Sequence, residues 1–459
     1  MTNTISLTQP IRIPFDARSE RYRKGILLAY PGIFLLMAGD AVRYSIGWVG
    51  WGIAIGLGIL ATIVFLIAFD ARSALRRTPE PLALLLVLMG LSLLWSQYRP
   101  QTLLSFIVQV GATLFGYFLV NQFGWRQLLN IFSNTIRFIL AASLLFELYA
   151  AITGPVEPFF PNYEGDPPAS AYLWSQGNLF EGERIQGIVG NANLIAFVAV
   201  LGMLLFVIEF IVTAQSKTVP LVSFLLALVM ALLAQSAGMI VATLLVSFAA
   251  AIAIMAEGKE TAIRRKVYAR AIAILAAIGV VAAIFHREIF DLLGRSPDAS
   301  GRFDIWQKVF TLISEKPIEG WGWIGYWIPG VEPWEGLITI NSVPMYQAHN
   351  ALIDIWVQLG LAGLFAMIWL LVQSFVRLWH IAVRHTSPLY LYPLFIFLVI
   401  AAQSLTESRL LIEISWVLLV VVSVKSREGF TSLEPMGTST KLSKLARSVR
   451  RVLRPRRIS

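Results

Sequence analysis

The sequence predicts an all-α fold, a polytopic bundle of transmembrane helices, on the strength of two observations. Hydrophobic residues make up 57% of the chain and charged residues only 14%. Apolar runs long enough to cross about 30 Å of hydrocarbon recur along most of its length. Because lipid offers backbone polar groups no partner, each of these runs must form a helix.

About twelve spans are predicted when the N-terminus is placed in the cytoplasm. Of the 37 Lys and Arg residues, 27 fall on the predicted inside, 9 on the predicted outside and Arg137 within a span. This asymmetry supports both the span count and its parity. The charged residues Arg137, Glu147 and Glu209 are costly in lipid and are expected to pair with other helices. The predicted spans lie at about 25–39, 46–69, 80–96, 101–122, 131–154, 190–214, 219–235, 237–256, 268–286, 350–379, 389–406 and 409–425.

The chain divides into three predicted regions. Residues 1–24 form a cytoplasmic N-terminal segment, 25–425 a transmembrane domain and 426–459 a basic cytoplasmic tail. The N-terminal segment and first span lack a persuasive small-residue cleavage site and are interpreted as an uncleaved signal anchor. Two segments, at about 155–187 and 287–348, are too long for turns and are predicted to be outside loops; the second, between spans nine and ten, contains short helices.

The net charge of +10 favours membrane lipid over nucleic acid as the partner, because the basic residues gather in predicted cytoplasmic turns and the tail. From Lys441, apolar residues at helical spacing among basic ones predict an amphipathic helix on anionic lipids of the inner leaflet. A disordered, solvated tail is the alternative. The chain contains no cysteine, which excludes disulfides and thiolate metal sites.

The large loop before span ten contains one predicted helix, from about Arg302 to Ser314. Phe303, Trp306, Phe310 and Ile313 fall at helical spacing and predict its apolar face.

A glycine-rich stretch follows this helix. Gly320–Gly330 holds too much glycine for a stable helix and is predicted to form an irregular surface at the membrane face. Its tryptophans are typical of an interfacial aromatic belt. The alternative is that Trp321, Trp323 and Trp327 stack on the apolar faces of sugar rings.

A candidate catalytic histidine stands where the large loop returns to the membrane. His349 opens an apolar helix, and Asn350, Asp354 and Gln358 follow at steps of four as a polar edge that needs partners or water. Capping and hydration of the helix end is one interpretation. Histidine is also suited to accepting a proton from a hydroxyl nucleophile or to hydrogen-bonding a phosphate.

Two arginines are candidates for binding an anion. Arg184 and Arg302 each lie in an outside segment near its junction with lipid, and a guanidinium presents fixed, fork-like donors suited to phosphate. Pairing with nearby acidic residues, or contact with lipid headgroups, is the alternative. Downstream of Arg184, Asn191 and Asn193 lie at a helix start whose free amide groups favour an anion on the same side.

The motifs that are absent narrow the chemistry further. The first outside turn holds only Asp40, so the paired acidic motif of many metal-assisted polyprenyl-monosaccharide glycosyltransferases is not visible. Neither a P-loop nor a serine-hydrolase elbow is apparent. Any catalysis is therefore predicted to use arginine and histidine, with no metal and no cofactor.

Two motifs together resemble the O-antigen ligase and polysaccharide polymerase superfamily. The detailed match covers about 184–194 and 302–364, and its spacing does not separate ligases from polymerases. The upstream motif is Arg184, Gly187 and Gly190-Asn191-Ala192-Asn193. The downstream motif is Arg302, Trp306, Pro317, Gly320-Trp321-Gly322, Ala348-His349-Asn350 and Gly360-Leu361-Ala362-Gly363.

This resemblance implies an inverting glycosyltransferase, with 25–425 as its domain and the active site on the outer face of the bacterial cytoplasmic membrane. The implied donor is a glycan on polyprenyl diphosphate, usually undecaprenyl diphosphate, and the acceptor is a glycan or lipid-glycan. By the same resemblance, Arg184 and Arg302 bind the diphosphate and His349 orients or deprotonates the acceptor hydroxyl. The implied supporting residues are Asn191, Asn193, Asn350 and Asp354.

One turn departs from the superfamily pattern. Many relatives carry arginine or lysine in the short outside turn before span eight, where this chain has Gln235-Ser236-Ala237-Gly238; Arg409 is an alternative source of that charge. Two other functions compete, a lipid-linked glycan transporter and a non-catalytic polysaccharide assembly component. A transporter is disfavoured, because the polar residues are concentrated on one side of the membrane and no repeated halves are visible.

Overall fold

The fold of the chain is all-α and polytopic, as predicted. A computed structural model describes residues 15–69, 72–160, 170–213, 216–285, 288, 301–340, 343–385 and 387–428. In these parts α-helices dominate, and the β-structure is one short antiparallel hairpin and an isolated bridge. The amphipathic helix predicted from Lys441 lies outside the described residues.

The helices follow the order of the predicted apolar runs. The α-helices are α1 Phe15–Met37, α2 Gly39–Ala68, α3 Arg72–Leu75, α4 Glu80–Leu91, α5 Arg99–Gln122, α6 Trp125–Thr153, α7 Ala192–Val212, α8 Thr218–Ala234, α9 Ala237–Ala256, α10 Thr261–Ile284, α11 Arg302–Glu315, α12 Ala351–Arg384, α13 Tyr392–Gln403 and α14 Glu413–Lys425. The strands of the hairpin are β1 Thr339–Ile340 and β2 Val343–Pro344. Short 3₁₀ turns occupy Ser92–Leu94, Ser170–Tyr172, Asn178–Phe180, Pro388–Tyr390 and Ser408–Leu411.

Among the described residues, six helices are long and apolar enough to cross a membrane, namely α2, α5, α6, α7, α9 and α12. Three shorter apolar stretches, Glu80–Leu94, Thr218–Ala234 and Pro388–Gln403, coincide with further predicted spans. A helix overlaps each of the twelve predicted spans. The number of these helices that cross the bilayer stays a prediction.

The charges inside the predicted spans have structural partners. Arg137 of α6 forms an ion pair with Glu209 of α7, and its Nε donates to Ser223 Oγ of α8 at 2.7 Å. Glu147 differs from the prediction, because it contacts a loop and not another helix. Its carboxylate accepts from the backbone N–H of Gln186 at 3.0 Å and from Ser175 Oγ at 2.9 Å.

Helix α12 is broken at Gly360, and the break accommodates the glycine-rich loop. Gly360 has a φ of +64°, a conformation that strains any residue with a Cβ. A Cβ at this position would overlap the carbonyl group of Ile318. The loop backbone pairs with the broken helix, as Gly322 N–H donates to the carbonyl oxygen of Gln358 at 2.9 Å.

The glycine-rich stretch is irregular, as predicted, but it is buried rather than spread over the surface. The side chain of Gln358 accepts from the N–H of Ile324 at 3.0 Å. Trp321, Trp323 and Trp327 are only 7%, 0% and 2% exposed. Neither the predicted interfacial belt nor the alternative of glycan stacking describes these three tryptophans, because protein already covers their rings.

Helix α11 matches its predicted bounds to within one residue, but its predicted face is only partly correct. Ile305 and Val309 are 1% and 0% exposed, whereas Phe303 and Phe310 are 56% and 44% exposed. Aromatic spacing identified a stripe along the helix. It did not show which side the neighbouring elements cover.

Candidate functional site

The turns at one end of the bundle bring distant polar residues together. Asn193 lies in the first turn of α7, Ser236 precedes α9, His349 precedes α12 and Glu407 lies between α13 and α14. With Arg302, the first residue of α11, they line a cavity of about 400 Å³. Three of the predicted site residues, Asn193, Arg302 and His349, therefore line the same cavity.

Glu407 stands at the centre of this cluster. It is 6% exposed, and its Oε2 lies 3.1 Å from His349 Nδ1. Its Oε1 accepts from Asn193 Nδ2 at 2.9 Å and lies 3.8 Å from Arg302 Nη2. Gln347 Nε2 donates to Oε2 at 3.0 Å. One buried carboxylate therefore ties together four polar side chains from three separate parts of the chain.

The surroundings of Glu407 keep its carboxyl group ionised. Burial by itself raises the pKa of Glu407, but the hydrogen bond and charge of His349, with the charges of Arg409 and Arg302, lower the pKa below its ordinary value of 4.5. An ionised carboxylate has no proton to donate. His349 Nδ1 is therefore assigned as the donor of this hydrogen bond, which in the tautomer protonated at Nδ1 alone places the lone pair of the ring on Nε2.

The backbone of His349 adopts a conformation that few residues other than glycine take. Its φ is +50°, in the left-handed region where asparagine, aspartate and histidine are enriched. Asn350 holds the next position, because its side chain accepts from the N–H of Leu352 at 3.0 Å and caps α12. Such strain concentrates at functional sites, where the surrounding structure enforces it.

Asp354 fixes the backbone next to His349 and does not line the cavity. It is fully buried, and its Oδ2 accepts from the N–H of Ala348 at 2.8 Å and from Ser408 Oγ. These bonds fix the residue before His349 and the residue after Glu407. Hydrogen-bond partners within the protein are present for Asn350, Asp354 and Gln358. The capping interpretation therefore describes these residues better than direct contact with a substrate.

The two predicted anion-binding arginines take different positions. Arg302 lines the cavity, and its Nη2 donates to the Thr406 carbonyl oxygen at 3.0 Å. Arg184 does not line it. Its Nη2 donates to Asn193 Oδ1 at 2.7 Å, and Asn193 in turn reaches Glu407. Arg184 is therefore connected to the cavity through one intervening side chain.

Asn191 fixes the position of Asn193. Its side chain caps α7 by accepting from the N–H of Asn193 at 2.9 Å and of Leu194 at 3.1 Å. Asn193 Oδ1 also accepts from Ser236 Oγ at 3.1 Å. The start of α7 therefore meets the start of α9 at this side chain.

One flank of the cavity is apolar and belongs to α9. Val241 and Leu245 line it and are 47% and 42% exposed. The cavity therefore joins a charged interior to an apolar wall. The cavity is also lined by the start of α9, which carries no basic side chain at Ser236, Ala237 and Gly238. The helix N-terminus places partial positive charge there.

Glu407 is a site residue that the sequence motifs did not predict. A usable signal was present, because Glu407 lies with Arg409 in the turn between the last two predicted spans, and a charged residue at a membrane rim is a functional candidate. Within the part of the chain that the structure describes, no group of three or more His, Asp or Glu side chains is placed to hold a metal ion.

Comparison with known proteins agrees with the resemblance found in the sequence. The family model described as O-antigen ligase matches residues 222–368, a stretch that contains Arg302 and His349 but neither Arg184 nor Glu407. The chain is also 29% identical over 104 residues to the exopolysaccharide production protein ExoQ of Rhizobium meliloti (strain 1021). That alignment covers 22% of this chain and 24% of ExoQ. These similarities support the assignment of the chain to the O-antigen ligase and polysaccharide polymerase superfamily.

Proposed function

We propose that this protein is a membrane glycosyltransferase that moves a glycan from a polyprenyl diphosphate carrier to an acceptor hydroxyl. The proposed domain is 25–425, with twelve spans, both termini in the cytoplasm and the site on the outer face of the bacterial cytoplasmic membrane. One observation carries the proposal. His349, Arg302 and Glu407 meet in a cavity whose flank on α9 carries the apolar side chains Val241 and Leu245.

The cavity suits a ligand with a charged head and a hydrocarbon tail. Arg302 offers guanidinium donors to a diphosphate, and the partial positive charge at the start of α9 adds to it. This helix terminus is a candidate replacement for the basic residue that many relatives carry in the same turn. Val241 and Leu245 lie where the polyprenyl chain would leave the cavity for the bilayer.

Arg184 contributes through Asn193 in this proposal. Its guanidinium group donates to Asn193 Oδ1, and Asn193 Nδ2 donates to Glu407 Oε1. Arg184 is therefore a positioning residue in this structure. It becomes a direct diphosphate ligand only if Asn193 releases it.

The proposed reaction is a single displacement at the anomeric carbon. The acceptor hydroxyl oxygen forms the new glycosidic bond and gives its proton to His349 Nε2, while Glu407 stabilises the resulting imidazolium. The bond from the anomeric carbon to the diphosphate oxygen breaks, and its electron pair leaves with the diphosphate. Arg302 stabilises the developing charge. Attack from the opposite face inverts the anomeric configuration.

This chemistry is proposed to need neither a metal nor a cofactor. Diphosphate is already a good leaving group, so alignment and fixed positive charge can supply much of the rate enhancement. The acceptor is a growing surface polysaccharide if the protein is a polymerase, and a lipid-linked glycan if it is a ligase. Both outcomes use the same residues.

The decisive test is the Arg302→Gln substitution in cells that depend on this protein for surface glycan. We expect polymer to fall and the lipid-linked donor to accumulate, because a charge-assisted hydrogen bond worth about 1.5–3 kcal/mol is lost. Arg99→Gln is the matched control, since Arg99 is exposed and lies at another turn outside the cavity. Membrane levels of both variants are measured by immunoblot. Normal polymer from a stably inserted Arg302→Gln variant would reject the proposed site.

A further inference from the structure

A second cavity, of about 340 Å³, adjoins the first at His349. His349 and Met345 line both cavities, so the imidazole stands between two spaces. The wall of the second cavity comes from the first turns of α2, from the β2 hairpin strand and the residues after it, and from the turn before α14. The apolar side chains of α9 that border the first cavity do not line the second.

Exposed aromatic rings form much of this second wall. Trp48, Phe160 and Tyr346 are 52%, 52% and 37% exposed, in contrast to the buried tryptophans of the glycine-rich loop. Helix α2 is broken at Gly47, whose φ is +73°, and Phe160 packs against that glycine. The break therefore seats the Phe160 ring beside the turn that carries Trp48.

The charges in this wall are paired. Arg43 forms an ion pair with Asp40, and Arg409 Nη1 lies 2.9 Å from Glu413 Oε2. Arg409 Nη2 is also 4.0 Å from Asp40 Oδ2. Two guanidinium groups are thus matched by two carboxylates, Asp40 in the wall and Glu413 outside it. A charged ligand would find no excess counter-charge to offset its desolvation, whereas a neutral hydroxyl can accept from arginine and donate to aspartate.

We propose that the second cavity binds uncharged sugar residues of the acceptor glycan, and that His349 takes the proton from a hydroxyl presented there. Aromatic rings receive the apolar faces of the pyranose rings, and the paired charges receive the hydroxyl groups. This inference rests on the proposed function for the direction of transfer. The preference for neutral over acidic sugars is independent of it.

The test measures binding of methyl glycosides of glucose, galactose and mannose to the full-length protein in nanodiscs by saturation-transfer NMR. Methyl glucuronoside is the charged comparison. We expect at least one neutral glycoside to bind and the glucuronoside to bind at least 5-fold more weakly. Trp48→Leu should abolish the signal, and Trp48→Tyr should retain it.

Two controls separate this inference from the proposed function. Phe159→Ala changes an exposed ring next to Phe160 that does not line the cavity, and it should leave glycoside binding unchanged. Inorganic pyrophosphate is the probe for the first cavity, and its binding should be lost in Arg302→Gln and kept in Trp48→Leu. Retention of pyrophosphate binding in Arg302→Gln counts against the proposed donor site alone. Absence of neutral glycoside binding, stronger glucuronoside binding, or an unchanged Trp48→Leu signal overturns the acceptor cavity.

Discussion

His349 and Glu407 form an imidazole–carboxylate pair, with Nδ1 and Oε2 3.1 Å apart, although 58 positions separate them in the chain. The backbone fixes the two turns that carry them, because Ala351 N–H donates to the Ser404 carbonyl oxygen at 2.8 Å. The pair is therefore set by main-chain geometry as well as by its own hydrogen bond. Its arrangement favours one tautomer of the histidine.

The substitution Glu407→Gln tests the importance of that tautomer. The introduced side chain can still hydrogen-bond His349 Nδ1, but it carries no charge to stabilise imidazolium and its amide group can impose the wrong tautomer. We expect glycan transfer to fall on the order of 10- to 100-fold, as for other groups that orient a reactive histidine. The measurement is the rate of polymer formation by membranes. Glu315→Gln, at the exposed end of α11, is the matched control and should not change the rate.

The lowered pKa of Glu407 predicts a specific dependence of stability on pH. Because the folded-state pKa lies below the ordinary 4.5, the carboxylate stabilises the folded state above that pH and the contribution is lost as pH falls through the folded pKa. The advantage in unfolding midpoint of wild type over Glu407→Gln should persist down to about pH 5 and narrow as the pH falls below about 4.5. Thermal unfolding in detergent measures it. A difference that already narrows between pH 7 and pH 5 would contradict the lowered pKa.

Three substitutions at His349 separate its chemistry from its strained backbone. His349→Asn, His349→Gly and His349→Ala all remove the imidazole, so each should lower transfer by about 10²–10⁴-fold. Only alanine is poorly suited to a φ of +50°. His349→Ala should therefore be less stable than His349→Gly by about 1 kcal/mol, with His349→Asn close to glycine. Transfer that persists in a well-folded His349→Asn variant would remove His349 from the mechanism. The control is His380→Asn, because His380 is exposed on α12, the helix that follows His349.

The sequence predicted the class of fold and the neighbourhood of the site because both depend on local patterns. Apolar run length located the helices, and residue type at the membrane rim drew attention to Arg302 and His349. The placement of Gly320–Gly330 could not be read in the same way. Its burial depends on carbonyl groups that the break at Gly360 exposes 30 or more positions later, and no local pattern encodes that pairing. Glu407 was missed because a single carboxylate in a short turn has no periodicity.

The break at Gly360 makes a sharp prediction about stability. A methyl group there would meet the backbone of Ile318, which cannot move without displacing the glycine-rich loop. Gly360→Ala should destabilise the protein by about 3 kcal/mol and lower its level in membranes. Gly56→Ala is the matched control, since a Cβ at Gly56 has nothing within 4 Å. Equal unfolding midpoints for the two variants would show that the loop does not depend on the break.

The outer placement of the site can be tested by thiol labelling, because the chain contains no cysteine and a single substitution introduces its only thiol. Phe180, 74% exposed, lies in the first predicted outside loop, and Lys259 lies in the predicted inside turn after α9. Phe180→Cys should react with a membrane-impermeant maleimide in intact spheroplasts, and Lys259→Cys only after permeabilisation. Phe132→Cys, in a side chain that is 0% exposed, should remain unlabelled in both conditions. The opposite labelling pattern would show that the bundle has the inverse orientation in the membrane, with His349 on the cytoplasmic side. The proposed transfer from an exported lipid-linked donor could not then occur there.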